Sequence, residues 1–315
     1  MEDLKGKVAF VTGGANGIGL GIVRAFLEEG MKVAVVDWNA DHIAKAGQAL
    51  AGNNAVHFVR ADVADRDNLR AARDEVLNAF GKIHVLCNNA GVNGGGTADD
   101  PDFAAWDKAM AINLGGVING TKMIVPVIKQ QGEGGHVVCT SSMAGVVPLP
   151  GLAAYSTAKY AVRGFAESLR MQLAPLGIGV SSLFPGATRT GMLSAPEDDP
   201  DFDPAREAGA GDFQKALWDA ARAAVDPQDT GRAVVRAIKE NRFYIFTNAE
   251  FLDEVRQRNR EMEDAFPDQT PPEGRRKFET MRAEMVRDLM AVGNRSASGG
   301  DGGDFGLDLN STAVD

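Results

Sequence analysis

Lys7-Val8-Ala9-Phe10-Val11-Thr12 runs directly into Gly13-Gly14-Ala15-Asn16-Gly17-Ile18-Gly19, and a helical pattern continues through Glu29. The first six residues are a short, almost continuous apolar run, which suits a parallel strand buried on both faces. Strand, glycine turn and helix form the context in which the spacing Gly-x-x-x-Gly-x-Gly carries chemical meaning. Without Cβ atoms, Gly13, Gly17 and Gly19 let the backbone come close to a pyrophosphate. Asn16 and Ile18 complete the turn, and the helix behind them offers free N–H groups and the positive end of its dipole. A tight turn needing positive φ would use the same glycines. The strand before and the helix after favour phosphate binding.

Working outward, Lys32-Val33-Ala34-Val35-Val36 is predicted as a second strand ending at Asp37. An acid about twenty residues beyond such a turn is placed to accept hydrogen bonds from an adenosine ribose and to repel a 2′-phosphate. Trp38, not arginine, follows it, and Ala15 and Asn16 are neutral, so NAD is expected over NADP. The competing role for Asp37 is a helix N-cap. Asp41 to Leu50 reads as helix and Val56–Arg60 as a third strand, ending in Ala61-Asp62-Val63. Asp62, with Val63 beside it, is placed either to cap the next helix, Arg66–Phe80, or to meet an adenine amino group. A fourth strand, Ile83–Cys87, closes in Asn88-Asn89-Ala90-Gly91, whose small residues would let a dinucleotide lie across the strand ends.

Phe103 to Gln130 has helical periodicity, with Asn113 expected on a polar face. Gly115-Gly116 would weaken that helix by about 1 kcal/mol each relative to alanine, so a kink or a close backbone approach is expected there. His136–Ser141 is a fifth strand, with Ser142 at its end, and Gly179–Phe184 a sixth, leading into Pro185-Gly186-Ala187-Thr188-Arg189-Thr190. Between them lies Tyr155-Ser156-Thr157-Ala158-Lys159, opening a helix to Leu173. Spacing of four puts Tyr155 and Lys159 on one helical face, one turn apart. An ammonium there favours the phenolate, so the phenol is expected below its ordinary value and able to exchange a proton with an alcohol or carbonyl. A core aromatic beside a solvated lysine would show the same spacing.

Asp229–Lys239 reads as helix, Phe243–Thr247 as a seventh strand, and two further helical stretches fall near 250–262 and 274–290. Strands alternating with helices give a doubly wound, Rossmann-type parallel sheet of seven strands. One domain over 1–295 is expected, with a substrate loop at about 188–226, a C-terminal helical extension at about 250–290, and a disordered tail, 296–315, rich in Gly, Ser and Asp.

Composition narrows the function. The 315 residues, 44% hydrophobic and 24% charged, are those of a globular chain with ample core. A net charge of -10 disfavours nucleic acid or an anionic membrane as partner, because both attract basic patches. No secretory leader and no apolar run long enough to span a bilayer are expected. Cys87 and Cys139 sit in strand-like runs and are expected buried and reduced, which fits a cytoplasmic location. The four histidines and two cysteines lack ligand spacing, so no metal is expected.

Taken in order, Thr12-Gly13-x-x-x-Gly17-Ile18-Gly19, Asn88-Asn89-Ala90-Gly91, Asn113, Ser142, Tyr155-x-x-x-Lys159 and Pro185-Gly186 resemble the short-chain dehydrogenase/reductase family, in its single-domain branch. The likeness runs from about Lys5 to Phe246. It implies Tyr155 as acid/base, and Lys159 as the group that lowers the phenol's pKa and bonds the nicotinamide ribose. Ser142, thirteen residues before Tyr155, would hold the substrate oxygen, in preference to Ser141. It further implies a water bound at Asn113 as a proton relay, and Thr188 and Thr190 against the nicotinamide amide and phosphates. Ile118-Asn119-Gly120, Phe243-Tyr244-Ile245 and the C-terminal extension are similar to bacterial Cα-dehydrogenases of lignin-derived aryl ethers. An aromatic or other bulky apolar secondary alcohol, or its ketone, would then sit among Val147, Leu149, Met192, Phe202 and Trp218. The family also implies a homodimer or homotetramer. Asp37 and the acidic charge disfavour a 3-oxoacyl-carrier reductase, which would use NADPH. The filled Ser–Tyr–Lys set disfavours a catalytically inert dinucleotide-binding regulator.

Overall fold

Parallel strands joined through helices must bury both faces, and the apolar runs do so here. The computed structural model describes residues 1–94, 97–99, 102–193 and 211–296. Strands β1 (Val8–Thr12), β2 (Lys32–Asp37), β3 (Val56–Arg60), β4 (Val85–Asn88), β5 (Gly135–Thr140), β6 (Ile178–Phe184) and β7 (Tyr244–Phe246) form one parallel sheet in the order β3-β2-β1-β4-β5-β6-β7. Register pairs Phe10 with Ala34 and Leu86, and Val137 with Val180. The order reverses between β1 and β4, so a crevice opens at their C-terminal ends.

The helices are α1 (Gly17–Glu28), α2 (Ala40–Ala49), α3 (Arg66–Phe80), α4 (Ala104–Ala109), α5 (Gly116–Gln131), α6 (Ala153–Leu173), α7 (Asp212–Arg222), α8 (Pro227–Lys239), α9 (Leu252–Asp264) and α10 (Glu273–Ser296). One face of the sheet is covered by α3, α5 and α6 through Leu69, Val76, Ile124, Ile128, Val162 and Leu169. The other is covered by α1 and α8 through Ile22, Phe26, Val234 and Ile238. Phe26 and Ile124 are wholly buried, and each such side chain contributes about 2 kcal/mol of transfer free energy.

Two sequence expectations change, and one left open between two outcomes is resolved. Asn113 is completely buried, not on a polar face. It sits in a π-helical turn, Met110–Gly115, between α4 and α5. The weak point at Gly115-Gly116 is a close approach, because a Cβ on Gly116 would fall 2.6 Å from Val63 Cγ2. Ala104–Gln131 is also long and apolar enough to cross a membrane by length and composition. Ile124, Val125 and Ile128 nevertheless pack into the core, which accounts for its apolar character. The loosened stretch after Met192 contains α7. Phe202, the acidic run 197–199 and the tail beyond 296 lie outside the described residues.

Candidate active site

The glycine turn is built by steric necessity. Gly13 has φ +61°, and a Cβ there would lie 2.8 Å from Ala90 Cα. A Cβ on Gly19 would lie 1.9 Å from Gly13 O, so the turn folds back on itself with no space for a side chain. Asn16 caps α1, its Oδ1 accepting from Gly17 N–H at 2.8 Å. The N–H groups of Ile18 and Gly19 have no hydrogen-bond partner among the described residues. Free donors at a helix start, facing strand ends, suit a pyrophosphate. Thr12 stitches the floor together, its Oγ1 accepting from Asn89 N–H at 3.0 Å and Ala90 N–H at 3.1 Å. Thr12 takes this role from partners 77 and 78 positions away, which no local motif displays.

Asp37 is buried at the end of β2, and Ala15 N–H donates to its Oδ2 at 3.2 Å. Its Oδ1 accepts from Asn39 N–H at 3.0 Å, while Asn39 itself caps α2. The N-cap role considered for Asp37 is therefore filled two residues later. Trp38 is 64% exposed. Its carbonyl accepts from the guanidinium of Arg60 at 3.1 Å, and Arg60 stands opposite Asp37 in the register. Asp62 accepts from Ala64 N–H at 2.9 Å, forming a turn, and the cap of α3 is Asp65. The Val63 side chain is core, so only its backbone is available to a ligand.

At the other half of the crevice, Ser142, Tyr155 and Lys159 come together. The Ser142 hydroxyl stands beside the Tyr155 phenol and acts to lower its pKa, and it accepts from Ala144 N–H at 3.1 Å. Ser141 is instead buried and donates to the Lys159 carbonyl at 2.8 Å, which anchors α6 to β5. The Lys159 ammonium lies 5.5 Å from the centre of the Tyr155 ring and donates to Thr140 O at 2.9 Å. Burial pushes Lys159 down to about 8. Burial likewise raises the phenol above its ordinary value, against the lowering effect of Ser142. This corrects the expectation of a depressed phenol, since desolvation outweighs the neighbouring ammonium in the protein alone. Asn113 lies close by. Its Oδ1 accepts from Val92 N–H at 2.8 Å and its Nδ2 donates to Val92 O at 3.0 Å. Both ends of that side chain are thus committed to backbone.

From β6, the Pro185 carbonyl accepts from Met143 N–H at 2.9 Å. Thr188 is buried, with its hydroxyl on Gly186 O at 3.4 Å. Thr190 faces the glycine turn, its Cγ2 3.0 Å from where a Gly17 Cβ would stand. Val147 is not a pocket wall at the mouth but packs inward on Met143 and Phe184, whereas Leu149 and Met192 are exposed. Cys87 and Cys139 are buried and free, and burial pushes Cys139 up to about 12, so neither is a nucleophile. No metal-holding cluster occurs among the described residues.

The architecture is that of a crevice at the strand ends, with a tight glycine turn at one end and Ser142, Tyr155 and Lys159 at the other. Residues 7–201 match the short chain dehydrogenase family model, and the chain belongs to that family. It is 31% identical to the C alpha-dehydrogenase of Sphingobium sp. strain SYK-6, over 93% of this chain and 95% of that one. It is 35% identical to the 3-alpha-(or 20-beta)-hydroxysteroid dehydrogenase of Mycobacterium tuberculosis H37Rv, over 79% and 88%. Among solved structures, a short chain dehydrogenase/reductase from Burkholderia phymatum in complex with NAD superposes with TM-score 0.74 at 31% identity, covering 86% of this chain and 99% of that one. The chain is therefore an oxidoreductase of the alcohol–ketone type whose fold binds a nicotinamide dinucleotide.

Proposed function

We propose that the protein interconverts a bulky apolar or aromatic secondary alcohol and its ketone, using NAD(H), with Tyr155 as acid/base. The observation that carries this reading is the contact of Ser142 with the Tyr155 phenol, beside the buried Lys159 ammonium. Gly13, Gly17, Gly19 and the N–H groups of Ile18 and Gly19 would cradle the pyrophosphate. Asp37 would take the adenosine ribose, and the Asn89-Ala90-Gly91 and Pro185-Gly186 turns would flank the nicotinamide half. The crevice fits such a group, because a Cβ at Gly13 or Gly19 would collide with backbone. Bound NAD would supply the hydride acceptor, and its positive ring would favour the phenolate.

In oxidation, Ser142 holds the substrate hydroxyl and Tyr155 takes its proton. Lys159 stabilises the phenolate that accepts this proton, and the ordered side chains keep the reacting carbon in place. With the phenol raised by burial, the oxidation rate is expected to climb with pH above neutrality. The acid at position 37 supports NAD over NADP, as do the neutral turn residues. Likeness to relatives named for C alpha and hydroxysteroid oxidation supports a large substrate. The exposed Phe278, Met281 and Met285 of α10 support self-association, and the buried, reduced thiols fit a cytoplasmic location. The test is a panel of aryl and alicyclic secondary alcohols with NAD and with NADP. Turnover with NAD on a bulky member, at least about tenfold better than with NADP, is the expected result. Preference for NADP would overturn the role given to Asp37.

A further inference from the structure

Where β7 ends, Thr247-Asn248-Ala249-Glu250 leads into α9. The Asn248 carboxamide is the hub of this turn. Its Oδ1 accepts from Gly186 N–H at 3.1 Å and from the Thr247 hydroxyl at 2.8 Å, and its Nδ2 donates to Glu250 at 2.7 Å. A Cβ on Gly186 would lie 2.6 Å from Asn248 Cγ and 2.9 Å from Phe251 Cε2, so the close approach requires glycine. Immediately before Gly186, the Pro185 carbonyl holds Met143 N–H, and Met143 follows Ser142. A short hydrogen-bonded path thus runs from Asn248 through the Pro185-Gly186 turn to the serine that touches Tyr155. Phe251 and Val255 brace the same path from below, packing on Met143, Val147 and Phe184.

We propose that Asn248 is a positioning residue that fixes the Pro185-Gly186 turn, and the Ser142 loop bonded to it, against the nicotinamide half of the cofactor. This rests on the dinucleotide reading above. The adenosine half is held at the other end of the crevice, by the glycine turn and Asp37, which Asn248 does not touch. Loosening Gly186 therefore weakens one half of the ligand and spares the other. A carboxamide that only stabilised the fold would weaken both or neither.

The experiment uses the full chain and three proteins: wild type, Asn248→Ala, and Asn248→Asp combined with Glu250→Gln. The double variant keeps an acceptor for Gly186 N–H without setting two carboxylates together. Each is titrated calorimetrically with NADH and with ADP-ribose, which lacks the nicotinamide. Asn248→Ala is expected to raise the Kd for NADH by about tenfold, the scale of one lost hydrogen bond, and to leave ADP-ribose within about twofold. The double variant is expected to bind NADH within about threefold of wild type. It also carries the test if the alanine variant fails to fold. An unchanged Kd for NADH in Asn248→Ala, equal weakening of both ligands, or a double variant as weak as the alanine variant would overturn the role. Wild type that binds neither ligand would instead overturn the dinucleotide reading, and this role with it.

Discussion

The sheet with its flanking helices and the two helices after β7 follow opposite rules. In the body, polar groups are buried around a crevice: Asp37, Asn113 and Lys159 are all nearly inaccessible. In α9 no residue is buried, and Leu252 and Met262 are exposed, as are Phe278, Met281 and Met285 on α10. The body spends stability on chemistry, as active sites commonly do. The extension contributes little core, and its charges are spaced for local pairs such as Arg258 with Glu254 and Arg282 with Glu279. Such exposed pairs add only about 0.5 kcal/mol each. The contrast predicts large functional and stability effects from single atoms in the body, and small ones from whole turns of α10.

After the phenol of Tyr155 itself, the largest effect belongs to Lys159. Its folded value of about 8 lies below the ordinary 10.5, so between those values the unfolded chain binds more protons and stability rises with pH. Lys159→Met should lower turnover by at least about a hundredfold. It should also stabilise the ligand-free protein near neutral pH by about 1–2 kcal/mol in denaturant unfolding, with the gain shrinking above about pH 8. A destabilised variant would break the view that the site holds its charge at a cost. Next comes Gly19→Val, which places carbon against Gly13 O. Isothermal titration should find NADH affinity reduced at least about a hundredfold.

A third prediction concerns the opposite end of the sheet. His136 is buried with its Nε2 2.8 Å from Ser181 Oγ, and burial holds it down to about 3, from an ordinary 6.5. Between those values the unfolded chain again binds the extra proton. Stability should therefore fall as pH drops from 6.5 toward 3, by about 3 kcal/mol from this group. Unfolding curves for His136→Asn should be flatter with pH across that window. The smallest effect is expected from removing 273–315, which takes away α10 and leaves Asn248 and Phe251. It should change NADH affinity less than about twofold and stability by about 1 kcal/mol or less, while light scattering reports whether self-association is lost.

Local chemistry made the frame legible. Apolar runs such as Val8–Thr12, the glycines that admit no Cβ, and the four-residue spacing of Tyr155 and Lys159 are all written in adjacent residues. What stayed hidden depends on partners distant in sequence. Asn113 reads as a solvated helical asparagine until Val92 is brought to it by the π-turn. Asn248 carries no motif at all; only the meeting of the turn after β6 with the turn after β7 gives it Gly186. The raised phenol reflects the whole wall of the crevice, which four residues of sequence do not contain. Asp62 and Val63 were read from position alone, and turn formation and core packing account for them as they stand.

Under the proposed function, the Tyr155 hydroxyl moves the proton while the rest of the crevice only binds and orients. Tyr155→Phe removes that oxygen and little else. Single-turnover NADH formation from a bulky secondary alcohol that wild type oxidises, measured alongside the Kd for NADH, tests it directly. A loss of at least about a thousandfold in rate, with the Kd unchanged within about threefold, is the expected result. A variant that still turns over at the wild-type rate would contradict it.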